Sequence, residues 1–138
     1  MAYDPNNVFA KILRGELPKI AICEDELTLA FLDIMPATEG HTLVIPKEAA
    51  ETIFDVSPQA AAAIMRTTQK VATAVKKALD CPGLMLVQLN GAEAGQSVPH
   101  LHFHILPRAQ GLDMKLHGRA MADPKTLMPI AEKIRAAL

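Results

Sequence analysis

The chain lacks most of the features that would assign it to a large class at once. It has 138 residues and only two cysteines, Cys23 and Cys81, with no Cys-x-x-Cys pair. Two isolated cysteines could form one bridge. The apolar setting of Cys23 instead suits a small buried residue, and a reduced, cytoplasmic compartment is expected. Charge of one sign is also missing: charged residues are 21% of the chain, the net charge is −1, and no block of like charges occurs. Binding to nucleic acid or to a membrane surface by bulk electrostatics is therefore excluded as an expectation. No apolar run approaches the roughly 20 residues that span a bilayer. The opening Met1–Asn7 has no basic head followed by an apolar stretch, so it does not read as a signal peptide. There is no repeat, low-complexity segment or linker. Half of the residues are hydrophobic, enough for a sizeable core, and the length favours one domain over 1–138.

Histidine is scarce as well, with five in all, which makes their placement informative. His100, His102 and His104 alternate with Leu101, Phe103 and Ile105. Such alternation is the strand pattern, with successive side chains on opposite faces. It predicts three imidazoles on one face, about 6.5–7 Å apart per two-residue step, and an apolar trio facing a core.

The remaining pattern predicts an α+β chain. Asn6 or Asn7 caps a short helix through Val8, Phe9, Ile12 and Leu13 that stops at Gly15. Ile20–Glu24 and Leu27–Asp33 read as a hairpin turning at Asp25-Glu26. After a loop at Pro36–Gly40, His41–Ile45 is a third strand ended by Pro46. Ser57-Pro58 starts a long helix with Ala61, Ile64, Met65, Thr68, Val71, Ala72, Val75 and Leu79 at helical spacing. It ends near Asp80, before Pro82-Gly83. Leu84–Asn90 and His100–Leu106 are a fourth and a fifth strand around a small-residue loop, Gly91–Ser97. Apolar residues at 127, 130, 134 and 138 suit a last helix interrupted by Pro129. Connections this short favour an antiparallel sheet with helices on it.

Two chemistries compete for the histidine row. Two histidines at i and i+2 can ligate one zinc, with His41 as a further donor. Three in a row converge poorly on one ion, and no acid lies near them in sequence. The alternative is nucleophilic attack by a neutral imidazole on phosphorus, giving a phosphoramidate that water cleaves. Gly91, Gly95, Gln96 and Ser97 directly precede the row. Their backbone N–H groups and the Ser97 hydroxyl suit an anion, although the same residues also make an ordinary turn.

The segment His100–Leu106 resembles the histidine triad motif, and Asn90–Val98 resembles the phosphate loop of that family. Phe9–Pro18 resembles its opening helix, and Leu29–Pro36 and Gly40–Lys47 resemble its nucleotide-pocket strands. The likeness runs from about Val8 to Arg108, is closest to the Hint-type branch, and leaves 109–138 as an extension. It implies a five-stranded, mainly antiparallel sheet and cleavage at the α-phosphorus of a nucleotide. It also implies His102 as the nucleophile, His100 as its support with a backbone carbonyl fixing the tautomer, and His104 as a contact to phosphate and leaving group. His41 would stand beside the base and the triad. Asn90, Gly95, Gln96 and Ser97 are implied as phosphate-binding, Asp33 as the ribose acceptor, and Phe9, Ile12, Phe31, Ile34 and Leu43 as the base pocket.

The resemblance further implies a purine nucleoside phosphoramidate as substrate, no cofactor and a homodimer. Diadenosine polyphosphate hydrolysis, or nucleotide binding with little turnover, are the alternatives. Leu89 stands where relatives often carry a polar residue, leaving Asn90 or Gln88 to contact the leaving group. Asn7 and Ala10 stand where some relatives carry zinc-binding cysteines, so no zinc is expected. The stretch Gly111–Asp123, with His117 and Arg119, is a candidate to close over the substrate.

Overall fold

The computed structural model describes residues 2–111, 117, 118 and 120–138. The elements run α1 (Val8–Leu13), β1 (Ala21–Glu24), β2 (Thr28–Leu32), β3 (Thr42–Pro46), α2 (Pro58–Leu79), β4 (Gly83–Gln88), β5 (Phe103–Arg108) and α3 (Pro124–Ala136). A single 3-10 turn at Ala92–Ala94 lies between β4 and β5. The strands form one sheet in the order β1-β2-β3-β5-β4, with every neighbouring pair antiparallel. This is the α+β architecture expected from the short connections.

Local chemistry explains the element ends. Asn7, not Asn6, caps α1: its Oδ1 accepts from the Ala10 N–H at 2.9 Å. Ser57 caps α2 through Ala60 N–H, and Glu48 in turn accepts from the Ser57 N–H and hydroxyl. α3 begins at Asp123-Pro124 and continues through Pro129, which forgoes only one backbone donor.

The sheet is covered on both sides, so β2 and β3 are buried at every position, as continuous apolar strands require. One face carries Ala30, Leu32, Val44, Leu101 and Ile105 against Ile64, Val71 and Val75 of α2 and Leu127, Ala131 and Ile134 of α3. The other carries Leu29, Phe31, Leu43 and Ile45 against Phe9 and Ile12 of α1. The period of two along each strand separates the two cores.

Three expectations need correction. The buried stripe of α2 contains Ala60, Ala63 and Thr67. It excludes Met65, which is exposed because the stripe that meets the sheet is rotated toward these smaller residues. On α3 the stripe is Leu127, Ala131 and Ile134, and Leu138 lies past the helix end and is exposed. Cys23 is half-buried at the sheet margin, while Cys81 is buried; both are free thiols.

The fifth strand also starts later than the alternation suggests. The ladder begins at Phe103, which pairs with Val44 and Gln88, and runs to Arg108. Residues 100–102 make other bonds. Leu101 N–H donates to Ala50, and the His100 carbonyl is taken by the imidazole of His102 instead of by a neighbouring strand. The alternation of faces nevertheless holds through this segment, with Leu101 and Ile105 in the helix-side core.

Candidate active site

Sheet register assembles the site. Phe31 pairs with Leu43, Leu43 with His104, and His104 with Val87, one row across four strands on the α1 side. The same row therefore sets the His104 imidazole directly beside the apolar Phe31 and Leu43. Phe9 of α1 stands edge-on to Phe31, with ring centroids 5.5 Å apart, and edge-on to His102 at 4.9 Å. The His102 and His104 rings are 4.9 Å apart, closer than the strand repeat because they tilt together at 63°.

Hydrogen-bond partners fix which nitrogen of each ring carries the proton, because a carbonyl only accepts and a backbone amide only donates. His102 Nδ1 lies 2.7 Å from the His100 carbonyl, so it is the donor. Its Nε2 is left bare, with no partner among the described residues. His100 Nε2 donates to the Pro46 carbonyl at 2.8 Å. The Ala37 N–H donates to His41 Nδ1 at 3.0 Å, which puts the His41 proton on Nε2. That proton is given to His104 Nδ1 at 2.9 Å. His104 therefore carries its own proton on Nε2, a buried donor with no partner among the described residues.

Burial keeps all four rings neutral. It lowers His102 and His41 to about 4 and His104 to about 3, with neighbouring histidine charge adding to the effect at each. His100 is lowered by burial as well, opposed by its bond to Pro46. Asp33 moves the other way: burial raises its carboxyl, and the Met35 N–H that donates to Oδ1 at 2.8 Å holds it down.

These groups open on a cleft of about 460 Å³. Its apolar wall is Val8, Phe9, Ile12, Phe31, Ile34 and Leu43, and its polar end holds Asp33, Ser97, His102, His104 and His117. Most of the expected site residues are thus brought together. Five do not line the cleft itself. His41 and His100 stand behind it, completely buried, and act on His104 and His102 by hydrogen bonds. Gln96 is a brace within the loop: Oε1 accepts from the Gly91 N–H, and Nε2 donates to the carbonyls of Glu51 and Val98. Asn90 is tied to Gln88 and accepts from the Ile53 N–H at 2.8 Å, so its carboxamide is directed at the 50s turn. Gly95 supplies backbone curvature at φ +99°, a conformation that glycine adopts without steric cost. Leu89 packs near it.

Sequence reasoning undervalued two features. Tyr3 touches His100 directly, and nothing in a linear pattern links residues 97 positions apart. The other is the return of the C-terminal segment. His117 lies 5.5 Å from the His104 ring and its Nε2 reaches the Gly95 carbonyl at 3.3 Å. Gly118 N–H bonds to the Met35 carbonyl, and a Cβ at Gly118 would stand 2.4 Å from the carbonyl oxygens of Met35 and Pro36, so only glycine fits. Residues 112–116 and Arg119, in the stretch expected to close over substrate, lie outside the described residues.

Asp33, His41 and His104 place one donor atom each within 4.8 Å of one another, the spacing of a metal site. The protonation pattern does not suit a cation. Ala37 N–H occupies His41 Nδ1, so the lone pair a metal would need at Nε2 holds a proton instead, shared with His104 and 3.5 Å from Asp33. At the other place where zinc was considered, Ala10 offers a methyl group. The Asn7 amide there is engaged with Tyr3, Asp4 and Ala10.

Fold and site together define an antiparallel α+β protein whose paired histidines face an apolar cleft. The HIT domain matches residues 14–111, and the chain belongs to the HIT family. It is similar to the adenosine 5'-monophosphoramidase hnt1 of Schizosaccharomyces pombe, 42% identical over 101 residues that cover 73% of each chain. It is 39% identical over 103 residues to the adenylylsulfatase HINT3 of Arabidopsis thaliana, covering 75% of this chain and 52% of that one. A Hit-like protein of Bartonella henselae superposes with a TM-score of 0.95 at 43% identity, over 100% of both chains.

Proposed function

We propose that the protein is a nucleotide hydrolase that cleaves purine nucleoside phosphoramidates at the α-phosphorus through a nucleotidyl-His102 intermediate. The observation that carries this reading is the bare Nε2 of His102, whose ring is held by the His100 carbonyl and lies in the wall of a cleft with an apolar side. An imidazole dropped to about 4 is an unprotonated nucleophile at neutral pH. The names of the two relatives share an adenylyl group and differ in what is joined to it, which favours attack at the phosphorus next to the nucleoside.

In this mechanism the base lies among Phe9, Ile12, Phe31, Ile34 and Leu43, and Asp33 accepts the ribose hydroxyls. Ser97 and the loop amides around Gly95 take the phosphate oxygens, with Gln96 and Asn90 shaping that loop. His102 Nε2 bonds to phosphorus while the phosphorus–nitrogen bond to the leaving amine breaks. The His104 Nε2–H gives a hydrogen bond to the departing nitrogen, which takes its proton from solvent as the bond breaks, and His41 supports His104 Nδ1 throughout. Water then attacks phosphorus, loses a proton to solvent and releases the nucleoside monophosphate as the bond to His102 Nε2 breaks, restoring the free ring.

We also infer a cytoplasmic homodimer in which 1–138 is one HIT unit. β4 supports the dimer, as an edge strand that exposes Leu86. Sedimentation at micromolar concentration should give twice the chain mass; a monomer removes that inference.

The central test is intact-protein mass after brief mixing with an adenosine phosphoramidate. Wild type should carry a trapped adenylyl group and turn over; His102→Ala should do neither. Equal turnover by both ends the proposal. Faster cleavage of diadenosine polyphosphates would move the assignment to that alternative, and tight nucleotide binding without turnover of either substrate would leave a binding protein.

A further inference from the structure

Behind the nucleophile lies a second polar chain that the chemistry above does not use. The Tyr3 hydroxyl lies 2.6 Å from His100 Nδ1. His100 Nε2 must donate, because its partner is the Pro46 carbonyl, so Nδ1 is an acceptor and Tyr3 is the donor. Asn7 Nδ2 in turn donates to the Tyr3 oxygen at 2.9 Å. The order is therefore Asn7 to Tyr3 to His100 to Pro46, with each donor and acceptor role fixed by the next.

Every ring in this chain also packs. Tyr3 and His100 meet edge-on at 5.6 Å, and Phe9 lies 6.4 Å from His100 and 4.9 Å from His102. His100 is completely buried. With Tyr3 removed, its Nδ1 would be an unsatisfied buried acceptor, which costs more than a lost surface contact. The ring would relax by rotation or by admitting water, and the peptide carbonyl of the same residue holds the His102 proton.

Resting on the proposed role of His102 as nucleophile, we propose that Tyr3 is a positioning residue for His102, acting through His100. Its phenol locks His100 in the Nε2–H tautomer, and the residue so held presents its carbonyl to His102 Nδ1. This keeps the reactive nitrogen bare and aimed. The N-terminal segment is then part of the catalytic apparatus without touching substrate.

Tyr3→Phe keeps the ring and deletes only the donor. With adenosine 5'-phosphoramidate, kcat should fall about tenfold, since a misaimed nucleophile costs rate before binding. KM and AMP affinity should stay within about twofold. Nitrogen-15 spectra of the histidine rings should show the His102 Nδ1–H resonance shifting or exchanging faster in the variant. An unchanged kcat, a loss confined to KM, or an unmoved His102 Nδ1–H resonance each overturns the proposal. If wild type hydrolyses no nucleotide at all, it is the nucleophile assignment that fails, and the ring spectra still decide whether Tyr3 positions His102. Tyr3 is the only tyrosine in the chain. Growth on 3-fluorotyrosine therefore acidifies this one phenol with its shape nearly kept. Even if Tyr3→Phe does not fold, kcat should then move by about twofold with KM fixed; no change overturns the proposal.

Discussion

At the scale of single residues, the site is a set of protonation decisions made by backbone groups. The His100 carbonyl and the Ala37 amide choose opposite tautomers for His102 and His41, and from these follow a lone pair at His102 Nε2 and a proton at His104 Nε2. His104→Ala should therefore leave nucleotide binding within a few fold yet lower kcat by about 10²–10³, the usual worth of one hydrogen-bond donor aimed at developing charge. The deficit should shrink with substrates whose leaving group departs without a hydrogen bond. Rates measured across a series of leaving groups check this, and a uniform loss across the series would reject the donor role.

At the scale of elements, the loop between β4 and β5 works because its side chains are spent internally. Gln96 satisfies one amide and two carbonyls at once. Gln96→Ala should cost about 1–3 kcal/mol in urea unfolding, through unsatisfied partners, and should raise KM as the loop loosens. Ser97→Ala, at an exposed position in the cleft wall, should leave stability within about 0.5 kcal/mol and reduce turnover. Equal effects of the two variants on stability would contradict the division of labour between brace and contact. Gly118→Ala should be destabilising and should weaken AMP binding, since an added methyl meets the Met35 and Pro36 carbonyls beside Asp33. Calorimetric titration with AMP reads this directly.

At the scale of the whole molecule, burying four neutral histidines makes stability depend on pH. Their folded pKa values are lowered, so between about 6.5 and the lowered values the unfolded chain binds more protons than the folded one. Stability is complete above about pH 6.5 and declines as pH falls through 5 toward 4. The slope is at most about 1.4 kcal/mol per pH unit for each group. Asp33, raised by burial, acts in the opposite sense as it titrates and offsets part of the loss. Urea midpoints at pH 7, 6, 5 and 4.5 should drop progressively, and His41→Phe should flatten the curve. A midpoint independent of pH over that range would contradict the neutral, buried state of the rings.

Much of this was legible along the chain. The period of two around His100–His104 separates an imidazole side from a core side wherever the backbone is extended, because alternation is a property of local geometry. Asn7, Ser57 and Pro58 mark helix starts by satisfying amides within a few residues of themselves. The likeness to known motifs gathered Phe9, Phe31, Asp33 and Leu43 into a single expected site. What stayed hidden were the partners set by long-range approach. Examples are Tyr3 on His100, Gln96 on Glu51, Asn90 on Ile53, and the return of His117 and Gly118 to the cleft. The sequence by itself determined which faces are apolar and which residue types could do chemistry. Only the tertiary structure decided which nitrogen holds each proton, because that depends on a carbonyl or amide brought alongside by a distant part of the chain.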